Sequence, residues 1–112
     1  MARRQEQEPA RSEVVEVAPG ILRFELPIAL PGLGHVNCYA ILDRRGAALV
    51  DPGLPGPSTW RVIQDRLKRA GLSPRHVHTA IVTHSHPDHF GGAGRLAKES
   101  GARVVAHRAF SF

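Results

Sequence analysis

His84, His86, Asp88 and His89 fall within six residues, inside the stretch THSHPDHFGG at positions 83–92 and directly after the apolar run Ala80, Ile81, Val82. Imidazole nitrogens and carboxylate oxygens are the donors that a borderline cation such as zinc accepts. Residues 84 and 86, two apart, can point to one side of an extended segment. Asp88 and His89, past Pro87, can turn back towards a second point, so the cluster suits one ion or two. Multiplying this chain's residue frequencies over all starting positions gives such a pattern by chance in roughly one chain in a thousand. A solvated polar turn is the bland alternative, and a turn needs no three imidazoles.

Other histidines lack that company. His76 and His78 repeat the two-residue spacing, but six extended residues put His78 about 20 Å from His84, too far for a shared ion. They are expected at the surface. His107 closes a short strand that can run parallel to residues 79–82, where a structural role is expected of it. Asp51, in LVDPG, either supports the motif through a hydrogen bond or simply opens an Asp-Pro-Gly turn. Gly91, Gly92 and Gly94 would weaken a helix start, which favours close backbone packing beside the site.

The elements that must position the motif follow from periodicity. Residues 13–17 and 21–26 are short apolar segments separated by Ala18, Pro19 and Gly20, as in a hairpin. Residues 27–35, with Pro27, Pro31, Gly32 and Gly34, are expected to form a loop. Residues 36–42 and 47–50 are apolar on both alternating faces, like strands covered on each side, and complete a four-stranded meander. Trp60, Ile63, Leu67 and Ala70 recur at three and four residues and predict a helix from 57 or 58 to 70, stopped by Gly71, with Arg61, Asp65, Arg66 and Lys68 placed elsewhere. A strand over 79–82, a second helix over 90–100 and a strand over 103–106 complete the order. It is α/β, with a mixed β-sheet and two helices.

Composition narrows the function classes. With 112 residues, one domain or part of one is expected. Net charge is +5, yet acidic residues interleave with the basic ones and no basic stripe with aromatic neighbours appears, so nucleic acid is not the expected partner. Cys38 is the one cysteine, which excludes an intramolecular disulfide, suits a reducing, cytoplasmic setting and reads as a small core residue. No apolar stretch has the length of a membrane span. The polar start, MARRQEQEPARSE, reads as a disordered tail over residues 1–12, leaving 13–112 as the structured part.

The motif His-x-His-x-Asp-His at 84–89, with LVDPG upstream, resembles that of the metallo-β-lactamase-fold hydrolases, and of their hydroxyacylglutathione-hydrolase-like branch in particular. The resemblance covers roughly residues 14–109 and implies the amino-terminal half of an αβ/βα sandwich, a partial domain whose carboxy-terminal half is absent. It implies that His84 and His86 hold one ion and Asp88 and His89 another, zinc first with iron or manganese as alternatives. Asp88 would also accept the proton of a metal-activated hydroxide that attacks a thioester or other small acyl substrate. Asp51 would then support the motif, and His35 would lie on a mobile loop at the site mouth, placed for a contact with substrate. The family's remaining ligands fall in the other half, so a truncated, non-catalytic fragment is the alternative, and a nuclease of the same fold is another. A carboxy-terminal half or a second copy of the chain is the expected partner.

Overall fold

The computed structural model describes residues 9–30, 33–53, 57–83 and 87–106 and, within them, no side chain at 28–30, 33, 57 or 87–92. The order is β1 (Val15–Ala18), β2 (Ile21–Leu30), β3 (Leu33–Asp43), β4 (Gly46–Val50), α1 (Pro57–Arg69), a 3₁₀ turn (Pro74–His76), β5 (Val77–Val82), α2 (Pro87–Ser100) and β6 (Arg103–Ala106). The six strands form one sheet in sequence order. Strands β1 to β4 are the expected antiparallel meander, whereas β4, β5 and β6 run parallel, each crossover carrying a helix.

Alternation gives the sheet two unlike faces. Phe24 pairs with Cys38 and Leu26 with Val36, Ala40 opposes Leu49, and Leu49 lies beside Ala80. All are buried in one cluster with Trp60, Ile63 and Leu67 of α1 and Ala93 and Leu96 of α2. Burying one such large apolar side chain contributes about 1.5–3 kcal/mol. An exposed i,i+4 pair such as Arg95 with Glu99 contributes about 0.3–0.5 kcal/mol, so the apolar stripe decides where the helices sit. Gly71, at φ 78°, ends α1. Its N–H donates to Lys68 O (3.0 Å) and that of Leu72 to Leu67 O (2.8 Å), a Schellman stop.

Several expectations are corrected. Residues 27–30 and 33–35 are strand, not loop: β2 and β3 stay paired beyond Val36, with Pro27 opposite His35 and Leu30 opposite Leu33. Pairing of β2 with β1 ends at Arg23. Pro27 therefore falls where that edge needs no N–H from it, the one sheet setting proline tolerates. The strands that are apolar on both faces are covered on one, as two helices allow, because both helices pack on the same side. On the other, Ile41 and Val105 remain 40% and 41% exposed. Arg66, placed by periodicity on the polar side of α1, is buried and donates from Nε and Nη2 to Glu25 O (3.2 and 3.0 Å), laying its stem along the core. Strand β5 starts at Val77 and α2 at Pro87, both earlier than expected. Ahead of β1, Arg11 is hydrogen-bonded to Glu25.

Candidate metal centre

Strand β5 is flanked on both sides by parallel strands, and its carboxyl end is the place where the motif begins. In open sheets of this kind the crevice beyond the carboxyl ends of parallel strands is the usual ligand site. His84 and His86 lie outside the described residues. Asp88 and His89 belong to the first turn of α2, with Pro87 as its first residue. A carboxylate at a helix amino terminus is favoured by the unpaired N–H groups there.

Asp51 fixes the exit from β5. Its N–H donates to Ile81 O at 2.8 Å, Oδ1 accepts from the Thr83 N–H at 2.8 Å, and Oδ2 accepts from the Thr83 hydroxyl. Asp51 is buried and stands at φ 56°, where a residue other than glycine carries strain of about 1–3 kcal/mol. Aspartate tolerates that region better than most residues. Among the described residues its side chain grips Thr83, the residue immediately before His84.

The amino end of β5 is built differently. His76 Nδ1 accepts from the Ser73 N–H at 3.0 Å, closing the 3₁₀ turn. His78 places Nε2 2.8 Å from Asp43 Oδ2 and Nδ1 2.9 Å from Thr79 Oγ1. Burial pushes the Asp43 carboxyl up, but the Arg45 N–H, His78 and the Gly46 N–H outweigh this and hold it below the usual carboxylate range. Both imidazoles therefore have structural partners. A side chain at Gly46 would run into the His76 carbonyl, which ties the β3–β4 turn to this end. Among the described residues no group of three or more histidine, cysteine, aspartate or glutamate side chains gathers elsewhere.

The remaining candidates separate clearly. Cys38 is buried, and burial followed by the nearby Asp51 charge pushes its thiol far up, so it is a core residue and no nucleophile. His107 lies outside the described residues. Gly94 is exposed, with nothing within 4 Å of where a Cβ would stand, and so does not mark close packing. His35, expected on a loop, sits in β3 at 1% exposure with Nε2 3.7 Å from Glu25 Oε1. Glu25 itself went unread, although the alternation of Leu22, Phe24 and Leu26 with Arg23 and Glu25 places both charges on the face away from the helices.

The chain is similar to known proteins. Residues 31–111 match the sequence profile of the Metallo-beta-lactamase superfamily. A hydroxyacylglutathione hydrolase of Albidiferax ferrireducens is 36% identical over 77 residues, 69% of this chain and 27% of that protein. A metal-dependent hydrolase of Pyrococcus furiosus is 36% identical over 74 residues, 66% of this chain and 29% of that protein. A metallo-beta-lactamase family protein of Thermus thermophilus superposes with a TM-score of 0.74 at 34% identity, covering 83% of this chain and 30% of that structure. The match thus spans less than a third of the length of each of these relatives. No described helix is long and apolar enough to cross a membrane.

Proposed function

Because the chain belongs to the metallo-β-lactamase superfamily, we propose that it carries the metal-binding part of a metal-dependent hydrolase acting on a thioester or another small acyl compound. The observation that carries this reading is the motif's position at the carboxyl end of β5, beside an Asp51 that grips the residue leading into it. The substrate class rests on likeness to the hydroxyacylglutathione hydrolase. His84 and His86 would hold one ion, Asp88 and His89 a second, with zinc as the first choice and iron or manganese as alternatives. Such an ion supplies a nucleophile at neutral pH and polarises an acyl oxygen. The chain's own residues do the rest: the Asp88 carboxylate takes up the nucleophile's proton, and Asp51 holds Thr83 so that the first ligand starts from a fixed point.

Nitrogen and oxygen donors of this kind fit zinc, but four of them shared by two ions give two each, where three or four are the rule. The other ligands would come from a carboxy-terminal half or from a second copy of the chain docking on the bare sheet face. The buried, unpaired Cys38 is in keeping with a cytoplasmic setting. Its short span relative to the relatives favours a second reading, that the 112-residue chain is by itself a non-catalytic fragment. The test is to assay thioester, lactone, β-lactam and phosphodiester substrates with the chain alone and with the chain joined to a carboxy-terminal half. Thioester turnover in the joined form alone is the expected result. Turnover confined to phosphodiesters would make the protein a nuclease instead, and robust turnover by residues 1–112 would remove the fragment reading.

A further inference from the structure

Among the described residues, the sheet face opposite the helices holds a buried ionic cluster, and it lies at the root of a projecting hairpin. The register of β3 with β4 begins at Tyr39, opposite Val50, so residues 33–38 run on past the end of β4 paired with β2. At about 3.3 Å per residue this part of the hairpin extends about 20 Å. It projects from the same end of the sheet as Asp51, Thr83 and the motif. On its other side, β2 parts from β1 after Arg23. The segment before β1 passes there, and Arg11 delivers three donors to one carboxylate: its N–H to Glu25 Oε1 at 3.0 Å, and Nε and Nη2 to Oε2 at 3.3 and 3.1 Å.

Glu25 is 2% exposed and pairs in the sheet with Asn37, two residues beyond the last β3–β4 pair. His35 Nε2 and Arg23 Nη2 each stand 3.7 Å from its carboxylate. From the opposite side Arg66 of α1 holds the Glu25 carbonyl and bonds Asp65 through Nη1 at 2.6 Å. Every element packed here therefore bears on Glu25. Charge-assisted, paired donors on a carboxylate withdrawn from water are the strong form of a hydrogen bond.

We propose that Arg11, Glu25 and His35 form a clasp that fastens the amino-terminal segment across the root of the β2–β3 hairpin and so limits its motion over the motif end of the sheet. Backbone pairing leaves that edge of β2 open beyond Arg23, and the side-chain clasp closes it. Arg11 and His35 act as positioning residues through Glu25. None of the three is a candidate metal ligand, so the clasp stands or falls independently of the metal reading.

Hydrogen exchange on the full chain, resolved by peptide, tests it. In Arg11→Ala the peptides spanning 24–38 should exchange about tenfold faster than in the parent, with those of β4 and β5 unchanged, because a local opening is freed without loosening the sheet. Arg11→Lys, which offers one donor group for two, should fall between, and Glu25→Gln should match Arg11→Ala. Unchanged exchange over 24–38 in Arg11→Ala overturns the clasp, and so does an equal rise across all strands. Should Glu25→Gln fail to fold, the two Arg11 variants decide.

Discussion

The two ends of β5 each carry a pair of histidines two residues apart, and they show how little that spacing means alone. At the amino end His76 is taken up by Ser73 and His78 by Asp43 and Thr79, so both imidazoles fasten one turn to the next. At the carboxyl end, His84 and His86 are followed by Asp88 and His89 on the first turn of α2, and Asp51 holds the residue before them. Ligand number and a fixed point of departure separate the two ends. At the amino end a carboxylate, Asp43, meets the imidazole of His78; at the carboxyl end Asp51 holds both the N–H and the hydroxyl of Thr83, the residue that leads into the motif.

The largest expected contrast is in rate. In a form completed by a carboxy-terminal half, Asp88→Asn should lower thioester turnover at least about a hundredfold, since a positioned proton acceptor contributes about 10²–10⁴. His78→Ala should leave steady-state rates alone, and equal losses in both would erase the distinction between the ends. Metal affinity comes next. Calorimetric titration should show Asp51→Ala weakening zinc binding by about 10–100-fold, the usual cost of losing a residue that orients ligands, with Asp43→Ala unchanged. An unaltered affinity in Asp51→Ala would reduce its grip on Thr83 to a fold contact.

A smaller effect is expected in acid. Burial pushes the Glu25 carboxyl up, but the Arg11 N–H and guanidinium, with His35, outweigh it and leave the group below its ordinary 4.5. Stability from a carboxyl lowered on folding is present above that ordinary value and lost as pH falls through the lowered one. Protection of the Arg11 amide should therefore persist down to about pH 4.5 and fade below it, and in Glu25→Gln that fading should vanish; an identical profile in the variant would locate the acid transition elsewhere. The smallest effect is expected from Ile41→Lys, on neither end of β5. It should weaken self-association a few-fold in sedimentation and leave zinc affinity unchanged.

Much of this was legible in the residues alone. Trp60, Ile63 and Leu67 announced α1 because helical spacing and burial coincide there, and the motif stood out because three imidazoles and a carboxylate have no ordinary surface reason to cluster. The hairpin was not legible, because Pro27 and the glycines beyond it look like loop chemistry unless β1 is known to release β2 after Arg23. The places of Arg66 and Glu25 were not legible for a related reason. Their partners are fixed by the fold: a carbonyl 41 residues away for Arg66, and for Glu25 an arginine 14 residues away. Asp51 was marked as important, but the identity of its partner, 32 residues on, needed the register of β4 against β5.

The central claim, that the chain's metal chemistry belongs to the carboxyl end of β5 alone, is most directly tested by titrating zinc into the parent chain, the His84→Ala/His86→Ala variant and the His76→Ala/His78→Ala variant under identical conditions. The account predicts that the first variant loses at least about a hundredfold in affinity, because half of the four-donor set is gone, while the second binds within about twofold of the parent. Equal binding by all three proteins, or a loss confined to the 76/78 variant, would contradict it.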